Sequence, residues 1–403
     1  MKHPRFITLR LALLLCVVAS CRLGQEYGQD QRLAQIDDIA QEQMQAGNIP
    51  GVVVLVGQAD RIVYHKAFGW ELVAPYREKM TKDTVFDVAS LTKPIATATS
   101  ILVLVDRKRL SLDDYVGQYL PAFACRGKEG VQIKHLLAHS SGLPAYTSAD
   151  DLAKQHGNPC PDALIEKICS LEARSQPGIE FRYSCLGYIV LAKIVEIVAG
   201  QSIRDFTQEN IFVPLGMRHT TYNPPTSWQS HTAATEIVND KLLRGTVHDP
   251  LARLMSGAAG NAGLFSSASD LSIYCRMLLN GGVWKDRRIL SPYAVSLLTS
   301  EQSHGRAYGF DVNSSYSWIK GPYASKDAFC HTGYTGVSLV SDPVTRTYLI
   351  ILTNRVHPDD KGSDKQIRLK IAELVFQALA KGNSLAQYGY SRDNRPDCKQ
   401  SLP

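Results

Sequence analysis

The 403-residue chain carries little net charge for its size: a formal +6 from 44 Lys and Arg against 38 Asp and Glu. Lys2, Arg5 and Arg10 supply three of those charges, so a chain without its first twenty residues carries +3. Neither figure makes a basic surface of the kind that holds nucleic acid or an anionic membrane. No internal repeat is present, which excludes solenoids and propellers. Among Cys125, Cys160, Cys169, Cys185, Cys275, Cys330 and Cys398 there is no CxxC spacing, so a zinc ribbon or finger is excluded. These seven read mainly as buried small apolar residues, and no disulfide pairing follows from them. The apolar run Leu11–Val18 is too short to span a bilayer as a permanent helix.

What is present at the N-terminus is a basic start, that short apolar run and small residues, the pattern of a secretory signal over residues 1–20. It ends in "VASC", and small residues before Cys21 resemble a bacterial lipoprotein cleavage site. Serine directly before the cysteine and valine in place of leucine are departures from that pattern. Two readings stand: export with a lipid on Cys21 as the only membrane attachment, or plain secretion.

Hydrophobic residues make up 44% and charged residues 20%, an ordinary globular balance. Leu33, Ile36, Ala40 and Met44 recur at helical spacing. "GVVVLVGQADRIVYHKAFG" reads as a β-hairpin around Gln58 to Asp60, and "DAFCHTG", "GVSLVSDP" and "RTYLIILTN" as three more strands. Ile367, Ile371, Leu374, Val375 and Leu379 form the stripe of a closing helix. Between the ends, "KPIATATSILVLVDRKRL", "LGYIVLAKIVEIVAG" and "ASDLSIYCRMLLNGG" are helical, the last two closing on glycine. The expected class is α/β (α+β), with an antiparallel sheet built from both chain ends. The sheet domain spans 21–105 and 318–385, a largely helical insert spans 106–317, and 386–403 is a polar tail.

The stretch "DVASLTKP" places Ser90 three residues before Lys93. Serine before an apolar helix is a good cap. A capping box, however, wants Glu or Gln where Lys93 stands, and a cation opposes the helix dipole there. The other reading is a nucleophile beside its proton acceptor, since residues three apart share a helix face. Three further stretches decide between them: "IKHLLAHSSGLP", "PGIEFRYSCLGYIVLAKIVE" with "VPLGMRHTTY", and "FCHTGYTG". In that order, over roughly residues 30 to 380, they resemble the class C-like serine hydrolase branch of the β-lactamase and penicillin-binding-protein superfamily.

The resemblance implies Ser90 as nucleophile, Lys93 as proton relay and Tyr183 as general base. It implies an oxyanion hole from the backbone N–H groups of Ser90 and Tyr334. His331, Thr332, Gly333 and Cys185 fall at substrate-binding positions. No metal and no organic cofactor is implied. Taken singly, Tyr183 reads equally as a core aromatic and His331 as a plain strand residue.

Two departures matter. Cys185 stands where the branch has an asparagine that binds the substrate amide, and a thiol is a weak donor and acceptor. This is either a tolerated change or the mark of lost activity. His331 stands where many members have lysine, and it is mostly neutral near neutral pH. "RGTVHDPLARLMSGAAGNAGLFSSASDL" and "LTNRVHP" resemble a sub-branch of accessory carboxypeptidases and muramoyl-alanine amidases, with Asn261 replacing a histidine of the glycine loop. Gly257, Gly260 and Gly263 lack the strand-before, helix-after setting of a nucleotide loop. His248 and Asp249 read as a hydrogen-bonded loop pair rather than metal ligands or a dyad. The expected function is acyl transfer to Ser90 from a small peptide or ester, a cell-wall fragment, in the periplasm or envelope. An esterase is the alternative within enzymes, and a penicillin- or muropeptide-binding protein the alternative outside them. A true β-lactamase fits less well.

Overall fold

The computed structural model describes residues 31–379. The signal-like segment, Cys16, Cys21, Cys398 and the polar tail lie outside the described residues.

Helix α1 (Gln35–Gln45) leads into β1 (Gly51–Gln58) and β2 (Arg61–Leu72), followed by the short β3 (Glu78–Lys79) and β4 (Phe86–Asp87). Helices α2 (Thr99–Asp106), α3 (Cys185–Ala199) and α4 (Ala268–Leu279) belong to the middle of the chain, with short β5 (Thr221–Tyr222) and β6 (Leu264–Ser266). The chain returns through β7 (Phe329–Gly333), β8 (Val337–Asp342) and β9 (Thr347–Thr353) to α5 (Lys365–Leu379). All the strands and helices read from the sequence at the two ends are found.

The main sheet has the order β7-β8-β9-β1-β2-β3, and each neighbouring pair is antiparallel. Strand β1 is central, in register with β9 from Val52↔Thr353 to Gln58↔Thr347. That position explains its unbroken "VVVLV" run, because a strand covered on both faces must be apolar on both. Val53 and Leu55 enter the core shared with α2, α3 and α4; Val52, Val54 and Val56 enter the core under α1 and α5. Strand β9 divides likewise, Ile350 and Leu352 to the first core, Leu349 and Ile351 to the second.

A three-stranded sheet, β4-β6-β5, lies outside the main one. Its register, Asp87↔Phe265, brings the chain just before Ser90 against the chain just after the glycine loop. Edge strand β7 carries Asp311 on its outer side, where Asp311 and Cys330 exchange two backbone hydrogen bonds of 2.8 Å. The start of the central helix is not a regular α-helix. Residues Ala89–Leu91 form a 3₁₀ turn, Lys93–Ala98 a π-helical stretch, and regular α2 begins only at Thr99. Pro94 sits within that first stretch, where its missing N–H costs little.

Candidate active site

Ala89 holds the left-handed φ of +45°, unusual for a residue with a Cβ, and its N–H donates to Asp87 Oδ1 at 2.8 Å. Ser90 therefore leaves the strand at a sharp corner. Its hydroxyl caps no helix N–H; it accepts from Lys93 Nζ at 3.0 Å. Lys93 is fully buried and also donates to the carbonyl of Asn261 at 2.9 Å. The glycine loop is stitched beside this helix by two more bonds: Thr97 Oγ1 donates to Gly260 O at 2.8 Å, and Leu264 N–H donates to Thr92 Oγ1 at 3.1 Å.

Tyr183 arrives from the turn before α3, whose cap is Ser184, accepting from Gly187 N–H. The Tyr183 ring centroid lies 5.0 Å from Lys93 Nζ. His139 stacks on that ring at 4.3 Å, Tyr316 stacks at 5.6 Å, and His331 lies tilted at 6.2 Å. The segment bearing His139 is tied to the Tyr183 turn: Ser184 N–H donates to His139 Nδ1 at 3.0 Å, and Cys185 N–H to Ala145 O at 2.9 Å. Cys185 is a half-buried free thiol at the first turn of α3.

Strand β7 closes the site. A Cβ on Gly333 would lie 2.6 Å from Val88 O, so only glycine lets β7 approach the Ser90 corner this closely. Thr335 Oγ1 donates to Asp87 O at 2.8 Å and fixes the following hairpin to the same corner. His331 Nδ1 lies 2.8 Å from Thr332 O. A carbonyl only accepts, so Nδ1 carries the proton and Nε2 is a lone pair. His139 is the reverse: Nδ1 accepts from Ser184, leaving the proton on Nε2.

Electrostatics follow from this enclosure. Burial, then the charges of Arg306 and Lys93, hold both His139 and His331 well below the ordinary histidine value. Burial pushes the Tyr183 phenol and the Cys185 thiol up, with Lys93 pulling each back. Burial also opposes the Lys93 ammonium, but Cys185, Tyr183 and Asp249 outweigh it and hold Lys93 above the usual lysine value. Lys93 and Tyr183 each shift the other's proton affinity, so the two titrate together rather than independently.

A β-lactamase family profile matches residues 36–373. The chain belongs to the β-lactamase family. It is 31% identical over 361 residues to an N-acetylmuramyl-L-alanine amidase of Bacillus subtilis, covering 81% of this chain and 82% of that one. It is also 31% identical over 361 residues to an Escherichia coli K12 protein named "Putative D-alanyl-D-alanine carboxypeptidase", with 81% and 83% covered. Among solved structures, EstCE1, a hydrolase with promiscuous acyltransferase activity, superposes with a TM-score of 0.70 at 23% identity, over 86% of this chain and 99% of that one. The octameric penicillin-binding protein homologue from Pyrococcus abyssi gives 0.67 at 24%, over 85% and 77%. These two establish the fold.

In this β-lactamase-family chain, Ser90, Lys93, Tyr183, Cys185, His331 and Gly333 converge as the motifs imply. Thr332 is half-buried beside them, and Tyr334 is 54% exposed. The Tyr334 hydroxyl donates to Asp360 Oδ2 at 2.5 Å, while its ring stacks with His248 at 5.6 Å. His248 and Asp249 bond to separate partners rather than to each other. His248 N–H donates to Asp87 Oδ2 at 2.7 Å, and its Nε2 lies 3.0 Å from Glu236 Oε2. Asp249 Oδ1 caps Ala252 N–H at 2.8 Å and accepts from Asn261 Nδ2 at 3.1 Å.

Sequence reasoning missed four contributors. Asn261 acts through its backbone carbonyl, which no side-chain motif reveals. His139 lies in "HSSGLP", whose resemblance was available as a signal. Arg306, wholly buried and paired with Asp311, sits 5.8 Å from the Tyr183 ring centroid, and Tyr316 completes the stack. Neither of the last two carries a local pattern.

Proposed function

We propose that the protein is an active-site serine hydrolase of the class C-like branch that acts on peptidoglycan peptides through an acyl-enzyme. The contact that carries this reading is the 3.0 Å hydrogen bond from buried Lys93 to Ser90, with Tyr183 against the same amine. A buried lysine on a serine hydroxyl, with a phenol against the same amine, is the arrangement that removal of the serine proton needs.

In the proposed reaction, Ser90 Oγ attacks an amide or ester carbonyl while the Lys93–Tyr183 unit takes its proton. The backbone N–H groups of Ser90 and Tyr334 stabilise the oxyanion. The leaving amine or alcohol departs with a proton returned by the same unit, and water then releases the acyl group. The names of the relatives, an amidase and a carboxypeptidase of cell-wall peptides, support the substrate class. Export, with lipid on Cys21, would bring the enzyme to where that substrate is found.

Labelling with a fluorophosphonate and with a fluorescent penicillin tests the chemistry. A covalent adduct that forms on the protein and is lost in Ser90→Ala is expected. No adduct with either reagent would show a binding protein instead. Digestion of muropeptides followed by mass spectrometry then separates release of terminal alanine from release of a whole stem peptide.

A further inference from the structure

The proposed oxyanion hole takes one N–H from each of two segments far apart in the chain, Ser90 at its corner and Tyr334 in the turn between β7 and β8. Such a hole works only with both donors about 2.7–3.1 Å from the same oxygen. A misplacement of about 1 Å costs on the order of a hundredfold in rate. Something must therefore set the spacing of the two segments. One buried residue with no part in the proposed reaction, Asp87, bonds to both.

Asp87 ends β4, three residues before Ser90, and all three of its oxygens accept a hydrogen bond. Oδ1 accepts from Ala89 N–H at 2.8 Å, at the residue whose positive φ makes the corner. The backbone carbonyl accepts from Thr335 Oγ1 at 2.8 Å. Tyr334 and Thr335 are the two central residues of a turn closed by Gly336 N–H on Gly333 O at 3.1 Å, so this bond fixes the turn that carries the Tyr334 N–H. Oδ2 accepts from His248 N–H at 2.7 Å. That third bond reaches the same turn by another route, because the His248 ring stacks on Tyr334 at 5.6 Å and Asp360 holds the Tyr334 hydroxyl at 2.5 Å. The "VHD" stretch, which the proposed reaction does not use, thereby gains a place beside the site.

We infer that Asp87 is a positioning residue for the oxyanion hole: it sets the distance between the Ser90 and Tyr334 N–H groups and touches no substrate itself. The inference rests on the hydrolase reading and deepens it.

Two variants of the full chain test it. Asp87→Asn keeps one acceptor oxygen and turns the other into an amide donor facing an N–H, so one of the two side-chain bonds is lost. Thr335→Val removes the bond to the carbonyl with little change of shape. Each is measured by kcat/KM on 4-nitrophenyl acetate and by the Ki of phenylboronic acid, which bonds to the serine oxygen and places a tetrahedral boronate anion in the hole. In Asp87→Asn, kcat/KM is expected to fall and Ki to rise by a similar factor of at least about ten, short of the roughly 10²–10³-fold that outright loss of a donor costs. Thr335→Val should move both in the same directions. A residue that only held the fold together would lower the share of working enzyme, which reduces the apparent kcat but leaves Ki alone. An unchanged Ki in Asp87→Asn, or in Thr335→Val where Asp87→Asn does not fold, would overturn the inference and leave the hydrolase reading intact. A parent protein that takes a fluorophosphonate on Ser90 yet binds no boronic acid would overturn it too. No adduct on Ser90 with the fluorophosphonate or the boronic acid would remove the hydrolase reading and this inference with it.

Discussion

His139 and His331 each commit one ring nitrogen to the backbone and leave the other, Nε2 in both cases, buried without a partner among the described residues. Their neutral state is therefore part of the folded structure. In the unfolded chain each returns to the ordinary value of 6.5, whereas in the fold each sits well below it. The unfolded state then takes up protons first as pH falls. Stability from these two groups is complete above about 6.5 and declines as pH drops toward their folded values. Each proton taken up preferentially by the unfolded chain tilts stability by about 1.4 kcal/mol per pH unit. Melting temperatures measured between neutral pH and mildly acidic pH should fall, and His139→Gln should fall less steeply than the parent. Parallel slopes for the two proteins would show that His139 is not held neutral. The same reasoning places Tyr183 and Lys93 on the alkaline side. Because both are pushed up, the base form of the unit is scarce at neutral pH, and Ser90 acylation by a neutral ester should quicken as pH rises from neutral. A rate already level below neutrality would contradict the assignment of the base.

The glycine loop and α3 approach each other more closely than any side chain allows. A Cβ on Gly260 would lie 1.9 Å from Tyr188 O and 2.8 Å from the Ala192 Cβ, so Gly260→Ala must push the loop away from the helix. Asn261 is the next residue, and its carbonyl holds Lys93. The substitution should cost about 1–3 kcal/mol in urea unfolding, as overpacking does, and should lower ester hydrolysis at the same time. Gly187, in α3 itself, is the control: an added Cβ meets nothing nearer than 3.5 Å, and alanine there should be neutral or slightly stabilising. Equal effects at the two positions would refute the close-approach account. This loop also marks where the sequence stops being legible. Strands β1 and β9 were readable because burial on both faces demands a continuous apolar run, and the stripe of α5 because it repeats every three to four residues. Strands β4, β5 and β6 have only two or three residues each, too few for any period, yet their pairing sets Asn261 beside Lys93. The Ser90 corner was half legible. Ser-x-x-Lys was visible, but the positive φ of Ala89 and the π-helical stretch after it come from tertiary contacts with β6 and β7.

At the scale of the whole molecule, the middle of the chain does not own a core. One continuous apolar cluster joins Val53, Leu55, Leu339 and Ile350 of the main sheet to Leu102 of α2, Ile189 of α3 and Tyr274 of α4. Unfolding the helical part alone would expose that entire face of the sheet to water, at roughly 25 cal/mol for each Å² of apolar surface. The polar links run the same way. Arg306 and Asp311, a buried pair, lie in the middle region, while Asp311 is bonded through its backbone to Cys330 of β7. Breaking such a pair by moving one partner leaves a buried charge uncompensated. The two regions are thus divided in the order of the chain but not in their energetics. Calorimetry should show a single unfolding transition whose midpoint is the same by far-ultraviolet dichroism and by the fluorescence of Trp70, Trp228, Trp284 and Trp318. Two separated transitions would mean that the shared core does not hold the two regions together. Residues 106–317 expressed alone should show no cooperative melting, because the surface that completes their core, and the strand that carries His331, would be missing.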